Sequence, residues 1–480
     1  MPTSPLDSAR RAPGDIRLSE VLAGLSYALD LTEGQRPGHA VRTCLVGMRL
    51  AEPLGLDADD RAALFYSLLM KDLGCSSNAA RFAALFGQHD HELKADLKRI
   101  DWSHALESFR FVARNAAAGQ FWLRRVWQTI GVLSQGPEGA REVVRTRCER
   151  GADIARLLEL PEATSAAIRA LDEHWDGNGQ PYGLRGQDIP LFGRILGLAQ
   201  TFEVYFTSYG EVAAFAMAAG RRGKWFDPAL VDALFATRVD RSFWDDFATG
   251  THPDDIAVFE PADRVTLATD DRLDTVAEAF ARVIDAKSPW TYRHSNGVAD
   301  LAVSMGARLG FRPKELRELR LAALLHDLGK LGVSNLILDK PGKLTDEEFR
   351  TIRAHPAHTA EILARVSCFR HVADVACAHH ERLDGRGYHR ALSRETLPLA
   401  ARILCVADIC DALRSSRPYR EGLPTERVLE IMSQDAGTGL DRDCYDAMRA
   451  SLDEANATDK REVPAARLVP SLSEDYVQAG

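Results

Sequence analysis

The chain has 480 residues, a formal net charge of −9 and an apolar fraction of 45%, which are ordinary values for a globular protein with more than one hydrophobic core. The acidic balance argues against wrapping a long nucleic acid, because that function needs a basic surface to neutralise many phosphates. No apolar stretch approaches the roughly 20 residues that cross a bilayer, and no apolar secretory core follows the polar start of the chain. We therefore expect a cytoplasmic protein without a membrane segment.

Helical periodicity dominates the chain from end to end. Apolar residues recur at helical spacing, for example at 315–328 and 425–434, whereas the alternating pattern of strands is hard to find. The segment LTDEEF at 344–349 predicts a helix start, with Thr345 as N-cap and Glu348 three residues later. The eight cysteines are scattered without a CxxC pair and are typical of reduced core residues. The sequence predicts an all-α fold.

An internal repeat divides the chain into two halves. His39 precedes Asp72 by 33 residues, and His294 precedes Asp327 by the same 33 residues, within segments that align without a gap. A repeat of this length predicts two copies of one structural unit. We expect two helical-bundle domains of the same type.

The repeat also sets the domain boundaries. We place domain one at residues 16–240 and domain two at residues 270–455. An acidic, proline-bearing linker is expected at 241–269 and a loosely held tail at 456–480. The offset between equivalent residues of the two copies decreases along the chain, so domain one carries about 47 additional residues between Cys75 and Cys148.

Domain two concentrates histidines beside other candidate metal ligands. His326 directly precedes Asp327, and His379 is adjacent to His380. Imidazole and carboxylate groups together suit Fe, Mn, Zn and similar ions, and ligands spread over several helices are typical of a metal site inside a helical bundle. Adjacent helical residues point about 100° apart, so each pair can bind two neighbouring metals. A single His-Asp dipeptide is weak evidence, but the full set predicts a metal cluster.

The motifs of domain two resemble those of the HD-GYP phosphodiesterases, a branch of the HD phosphohydrolases. The similarity covers essentially all of domain two and lies in HDLGK at 326–330, HPAHTAEIL at 355–363, HHERLDGRGY at 379–388 and RILCVADICDALRSSRPYR at 402–420. The resemblance implies a helical core with a binuclear or trinuclear metal centre. It also implies cleavage of cyclic dinucleotides, with cyclic di-GMP as the first expected substrate.

The resemblance assigns roles to individual residues. It implies that Asp327 bridges the metals and that Lys330 contacts the scissile phosphate, so these two residues are the expected catalytic groups. It implies substrate contacts from Arg417 and Arg420, and Tyr388 could offer a stacking surface to a nucleobase. The implied metal ligands are His294, His326, Asp327, His355, His379, His380 and Asp408.

Two positions depart from the pattern of the family. Trp290 stands one turn before the first ligand, where some family members have a glutamate that completes a third metal site, and an indole cannot coordinate a metal. We therefore expect two divalent transition-metal ions, iron or manganese first, with zinc, nickel, cobalt or magnesium as alternatives. The name-giving triplet reads Gly387-Tyr388-His389, and without its proline the loop loses a fixed φ. The preferred cyclic nucleotide therefore stays open.

Domain one lacks most of this ligand set. It keeps His39 and Asp72, and two scattered ligands cannot hold a metal cluster against water. Lys71 could fill the vacated space as a built-in cation paired with Asp72. We expect domain one to be non-catalytic and to serve dimerisation, to brace domain two or to bind an effector. The replacements for His326, His355, the 379–380 pair and Asp408 are Lys71, Cys148, Leu171-Asp172 and Gln200.

The leading hypothesis is a metal-dependent phosphodiesterase that acts on a small signalling nucleotide. The alternatives are cleavage of other cyclic or short linear nucleotides, a nucleotide phosphomonoesterase, and a catalytically silent nucleotide sensor or scaffold. The complete ligand set of domain two argues against the silent protein. A second copy of the chain, docked through domain one, is the protein partner that we considered.

Overall fold

The computed structural model describes residues 16–100, 105–115, 136–250, 256, 260–262, 264–291, 293–416 and 421–459. Regular structure in these ranges is helical, and no strand occurs among them beyond isolated bridges. The predicted all-α fold is confirmed. Most of the predicted tail, residues 460–480, lies outside the described part of the chain, and so do Arg417 and Arg420.

Domain one is a bundle of short helices with three helices from its insertion packed on one side. A 3-10 turn at Cys75–Asn78 follows α3, at the position of the HD motif. The helices are α1 (Leu18–Thr32), α2 (His39–Ala51), α3 (Ala58–Met70), α4 (Ala79–Phe86), α5 (Asp90–Leu97), α6 (Ala105–Asn115), α7 (Gly136–Leu157), α8 (Glu162–Arg169), α9 (Leu191–Tyr209), α10 (Glu211–Gly220), α11 (Pro228–Ala236) and α12 (Arg241–Thr249).

Domain two repeats the same order of elements. A 3-10 turn at Leu328–Gly332 follows α15, and the predicted cap at Thr345 is confirmed, because its side chain accepts the N–H of Glu348 while the Glu348 carboxylate accepts the N–H of Thr345. The helices are α13 (Asp270–Asp285), α14 (His294–Arg308), α15 (Pro313–Leu325), α16 (Asn335–Leu338), α17 (Asp346–Arg353), α18 (His355–Ala364), α19 (Arg370–Ala376), α20 (Leu399–Arg414), α21 (Thr425–Ser433) and α22 (Arg442–Asp459).

The first helix of each domain packs across the boundary onto the other domain. Helix α1 contacts the Leu328–Gly332 turn and α18, while α13 contacts the Cys75–Asn78 turn and α7. A Cβ added to Gly24 of α1 would lie 2.5 Å from Cγ2 of Val366, so glycine permits this close approach. One continuous apolar core therefore runs through both domains, and domain one supports the segment that carries the HD motif of domain two.

The structure differs from the expected linker at both of its ends. Helix α12 lies at Arg241–Thr249, where Trp244 and Phe247 are buried against the aromatic side chains of α9 and α10. These two large apolar side chains extend domain one past residue 240, because their burial stabilises the helix on the domain. At the other end, the N–H of Leu18 donates to the carbonyl of Thr266 at 2.7 Å. The segment before α13 is thus held against the start of α1.

The described helices differ from helices that span a membrane. None of them combines the length and the apolar character that crossing a bilayer demands.

Candidate metal centre and active site

Five segments of domain two bring the predicted ligands to one point in the bundle. His294 begins α14, the 326–327 pair follows α15, and His355 begins α18. The 379–380 pair follows α19, and Asp408 lies inside α20. The side chains form three overlapping groups whose ligand atoms lie within 4.8 Å of one another: His355, His379 and His380; His294, His326 and Asp327; His326, His379 and Asp408.

The carboxylate of Asp327 lies between two histidine pairs. Its Oδ2 is 3.3 Å from Nε2 of His326 and 3.7 Å from Nε2 of His294. Its Oδ1 is 3.3 Å from Nε2 of His355 and 3.7 Å from Nε2 of His379. Since each oxygen faces a different pair, one carboxylate is placed to serve two neighbouring cations.

Asp408 lies on the opposite side of the same cluster. Its Oδ1 is 3.3 Å from Nε2 of His294 and 3.8 Å from Nε2 of His326, and its Oδ2 is 3.9 Å from Nδ1 of His380. The two carboxylates therefore enclose the imidazole groups from two sides. The His380 side chain is 23% exposed, so the cluster opens towards solvent at this residue.

Hydrogen bonds fix the ring orientation of most of these histidines. His326, His355 and His379 each donate through Nδ1 to the carbonyl oxygen three residues earlier, at 2.6 to 2.7 Å. A carbonyl can only accept, so Nδ1 carries the proton and Nε2 keeps its lone pair. This tautomer directs the coordinating nitrogen into the cluster.

His294 is oriented by a carboxylate instead. Its Nδ1 donates to Oδ2 of Asp411 at 2.6 Å, and Asp411 lies one turn after Asp408 on α20. Sequence reasoning missed Asp411, although its three-residue spacing from Asp408 on a predicted helix was an available signal. A carboxylate behind a histidine makes the imidazole a stronger metal ligand.

Several buried polar atoms of the cluster have no hydrogen-bond partner among the described residues. These atoms are Nε2 of His294, Nε2 of His326 and Oδ1 of Asp327. Leaving such atoms unsatisfied in the interior costs about 1–3 kcal/mol each. All three carry lone pairs directed at the centre of the cluster, so divalent metal ions are the groups that fit these residues.

The electrostatics of the cluster favour ligand-ready protonation states. Burial would raise the pKa of Asp327, but His326 and Lys330 outweigh it and hold that pKa well below the ordinary value. Burial and the neighbouring histidines lower the pKa of His379 well below its ordinary value, and burial lowers that of His380 to about 3. The carboxylate is therefore charged and both imidazoles are neutral, as metal coordination requires.

His294 differs from His379 and His380, and so does His326, whose pKa is raised because Asp327 outweighs the effect of burial. Burial would lower the pKa of His294, but the neighbouring Asp408 and the hydrogen bond to Asp411 outweigh burial and raise it to about 10. Without a metal, the two carboxylates would therefore hold a proton on this imidazole. A divalent cation would replace that proton as the positive charge between the carboxylates.

Three side chains lie at the rim of the cluster. The Lys330 ammonium is 2.5 Å from Oδ2 of Asp327 and is 21% exposed. The ring of Tyr388 is 4.6 Å from that of His380, and the guanidinium of Arg353 lies 4.7 Å from the centre of the Tyr388 ring. Sequence reasoning predicted Lys330 and Tyr388 but missed Arg353, whose one signal is its position two residues before His355.

The departures from the family's pattern have structural counterparts. His389 is exposed and its φ is +94°, a value that the ring of a proline cannot adopt. The backbone of this loop is therefore incompatible with a proline at position 389. Trp290 is 37% exposed.

The equivalent point in domain one holds a lysine. The Lys71 ammonium lies 3.0 Å from Nε2 of His39 and contacts the carboxylate of Asp72 directly. The predicted pairing of Lys71 with Asp72 is confirmed. On its other side His39 donates through Nδ1 to Glu203, so the imidazole sits between a carboxylate and a cation.

Domain one also contains a cluster of possible ligands, formed by Glu33, Asp72 and Cys75. The ammonium of Lys98, from the end of the insertion helix α5, lies 2.9 Å from Glu33 and 3.6 Å from Asp72. The carboxylates of this group are thus neutralised by lysines of the protein itself. A metal site would instead need carboxylates whose charge is not yet compensated.

Comparisons with known proteins identify the family and several relatives of the chain. A family model described as HD domain matches residues 127–230 and 278–444. The 3'3'-cGAMP-specific phosphodiesterase 3 of Vibrio cholerae is 40% identical over 435 residues, which is 91% of this chain and 94% of that protein. A cyclic di-GMP phosphodiesterase of Pseudomonas aeruginosa is 42% identical over 148 residues, 30% of this chain and 35% of that protein.

A solved structure extends the likeness to three dimensions. The crystal structure of a cyclic GMP-AMP-specific phosphodiesterase of V. cholerae superposes with a TM-score of 0.62 at 37% identity, covering 91% of this chain and 98% of that one. The chain therefore belongs to the HD domain family and is a phosphodiesterase, as the motifs of domain two predicted.

Proposed function

We propose that domain two hydrolyses a phosphodiester bond of a 3',3'-cyclic dinucleotide, with cyclic GMP-AMP as the first candidate and cyclic di-GMP as the second. The observation that carries the proposal is the carboxylate of Asp327, whose two oxygens face two separate histidine pairs. Attack on a phosphodiester develops charge on both the entering and the leaving oxygen, and a pair of cations can stabilise both.

The order of the two substrates rests on the length of the similarity. The relative that is similar over 91% of this chain is named for cyclic GMP-AMP. The relative named for cyclic di-GMP that we cite matches 30% of the chain. This order reverses the expectation from the motifs, which placed cyclic di-GMP first.

The proposed metal centre holds two divalent ions, iron or manganese in the first place. Histidines 294 and 326 with Asp408 would hold one ion, histidines 355, 379 and 380 would hold the other, and Asp327 would be shared. Ions bound there supply Lewis-acid stabilisation of phosphoryl oxygens and lower the pKa of water. Trp290 supports two ions over three, since it offers no lone pair where a third carboxylate would stand.

The remaining steps fall to side chains of the chain itself. Lys330 provides a compact positive charge at the rim of the cluster. A phosphate oxygen of the substrate can replace the carboxylate of Asp327 as the partner of this ammonium. Tyr388 is the proposed stacking group for a base, and Arg353, which lies against that ring, has donors for a phosphate or a base edge. Arg417 and Arg420 stay substrate-contact predictions from the family resemblance.

Anaerobic purification, metal analysis and a hydrolysis screen test this function. The protein is offered cyclic GMP-AMP, cyclic di-GMP, the linear dinucleotide pGpG and a nucleoside monophosphate. We expect about two metal ions per chain and cleavage of the cyclic substrates to linear dinucleotides. Cleavage of the monophosphate alone would favour a phosphomonoesterase, and tight binding without cleavage would favour a sensor.

A matched variant probes the arginine assignment in the same screen. Arg417→Ala should raise KM while leaving the metal content unchanged, because a guanidinium contacts phosphate or base and not the metal centre. Arg353→Ala should behave in the same way. A loss of metal in either variant would contradict the proposed roles.

A further inference from the structure

A cavity in domain one lies at the position that corresponds to the active site of domain two. Its wall includes Leu171-Asp172 and Gln200, which align with the 379–380 histidine pair and with Asp408. The cavity volume is about 330 Å³, which falls in the range of small-molecule sites. The repeat thus keeps a pocket after losing the metal ligands.

The insertion of domain one closes this cavity with apolar side chains. Phe82 and Phe86 come from α4, Leu97 comes from α5, and Val143 comes from α7. The indole of Trp225 forms part of the wall as well. Flat aromatic and branched apolar walls favour a planar apolar ligand.

The cations on the wall each have a carboxylate partner. Lys94 and Lys98 both face Glu33, at 3.5 and 2.9 Å. Arg147 contacts Asp172 directly, and Arg194 pairs with Asp227 at 2.7 Å. Because each of these cations has a carboxylate partner, the cavity suits a neutral ligand better than a phosphate.

Two buried amide oxygens on the wall have no hydrogen-bond partner in the part of the chain that the structure describes. Asn78 is 6% exposed and Gln200 is 7% exposed, and both line the cavity. The Oδ1 of Asn78 and the Oε1 of Gln200 are buried without a hydrogen bond among the described residues. A buried acceptor left unsatisfied costs about 1–3 kcal/mol, so a ligand that donates hydrogen bonds here would be stabilised.

We propose that this cavity binds a purine nucleoside as an effector. Adenine and guanine are flat, carry no charge, and present N–H donors beside ring acceptors along their edges, which is the pattern that an amide side chain pairs with. The bicyclic ring fills more of the apolar wall than a pyrimidine does. The proposal does not depend on which cyclic dinucleotide domain two cleaves.

Helix α5 connects the cavity to domain two. Its residue Lys94 lines the cavity, and its first residue, Asp90, is fully buried at the domain boundary. Oδ1 of Asp90 accepts from Oγ of Ser334 at 2.8 Å and from the N–H of Asn335 at 2.9 Å. Ser334 and Asn335 follow Lys330 closely in the sequence. A ligand that shifts α5 would therefore change the position of Lys330.

Calorimetry on the full metal-loaded chain tests the site, with guanosine and adenosine as probes. We expect one binding site per chain for at least one nucleoside, weakened about tenfold in Gln200→Leu. Gln187→Leu, an exposed glutamine of the same domain, serves as the matched control and should bind like the unaltered protein. Asn78→Leu repeats the test at the second amide if Gln200→Leu lowers the unfolding temperature.

Three results would overturn the site. They are the absence of binding heat for both nucleosides, equal affinity in the unaltered protein and both amide variants, and a preference of tenfold or more for the 5'-monophosphates. Each result is obtained without measuring hydrolysis, so failure of this site is distinguishable from failure of the proposed phosphodiesterase activity.

A rate measurement tests the connection through α5. Saturating nucleoside should change the hydrolysis rate of the unaltered protein by about fivefold or more. Ser334→Ala removes one hydrogen bond to Asp90 and should keep nucleoside binding while losing most of that change. An unaltered rate at saturation in the wild-type protein would overturn the effector role.

Discussion

The two domains share one helical framework but differ in the charge of the groups at its centre. In domain one His39 donates to Glu203, and in domain two His294 donates to Asp411, at aligned positions of the repeat. In domain two, Nε2 of His294 lies next to carboxylates. In domain one, Nε2 of His39 lies next to the ammonium of Lys71. The hydrogen bond from Nδ1 of this histidine to a carboxylate is therefore present in both domains, although domain one lacks most of the predicted metal ligands.

Further shared contacts explain why both copies keep one fold. Glu173 and Glu381 each accept two backbone N–H groups of the loop that follows, at 2.6 to 2.9 Å. Gly74 and Gly329 each lie so close to the next long helix that an added Cβ would approach a carbonyl oxygen to 1.9 or 2.0 Å. These contacts need no metal, so a buried lysine can neutralise the remaining carboxylates without loss of the framework.

The matched aspartates give the largest expected difference between the domains. Asp327→Ala should deplete bound metal and lower hydrolysis well beyond the roughly 10–100-fold that the loss of a supporting residue costs. Asp72→Ala should keep the metal content, because Asp72 faces Lys71 and Lys98. Metal analysis and initial rates on both variants decide the matter. Metal loss in Asp72→Ala with an intact Asp327→Ala would reverse the assignment of the working site.

The matched lysines should separate stability from turnover. Lys71→Ala removes a buried cation and should lower the free energy of unfolding by roughly 3 kcal/mol, near the lower end for broken buried pairs because Lys98 still faces Asp72. Lys330→Ala should lower the rate and leave the stability of the metal-loaded protein nearly unchanged. Denaturant melts and rates are measured on both, and equal destabilisation would contradict this difference.

The next largest effect is expected from replacing the carboxylate that accepts the hydrogen bond of His294 or of His39. Asp411→Ala should weaken metal binding about 10–100-fold, since His294 loses the group that orients it. Glu203→Ala, the equivalent change in domain one, should leave the metal affinity as it is. Titration with a competing chelator measures both. If both variants kept the same affinity as the unaltered protein, Asp411 would have no part in holding the metal centre.

The smallest expected effect is a pH dependence that belongs to domain one. Burial and Lys71 lower the pKa of His39 from 6.5 to about 4. In the unfolded chain His39 is protonated as the pH falls through about 6.5, whereas in the folded chain it is protonated only near pH 4. The stability contributed by neutral His39 is therefore complete above pH 6.5 and is lost as the pH falls through that window.

The variant His39→Gln isolates this contribution. The histidines of domain two are the same in both proteins, so the difference between the two melting curves reports His39 alone. We expect the unaltered protein to lose up to about 1.4 kcal/mol more per pH unit between pH 6.5 and 4. Parallel curves would show that His39 is not held neutral by Lys71.

The sequence by itself determined the fold class and the internal repeat, and it predicted which side chains meet in the proposed metal centre. Helical periodicity is a local property, so it specified the helices and the cap at Thr345 before any packing was known. The predicted ligands came from the resemblance of short motifs to a known family, because those motifs are local stretches of the chain. The pairing of Lys71 with Asp72 was also predictable, since the two residues are adjacent in the chain.

The tertiary structure decided what depends on contacts between distant segments. It placed Asp411 behind His294, Arg353 over Tyr388, and each oxygen of Asp327 towards a different histidine pair. It carried domain one past residue 240 through the burial of two aromatic side chains, and it packed α1 and α13 across the boundary between the domains. Such contacts follow from how helices fit against one another, and the local pattern of residues does not encode that fit.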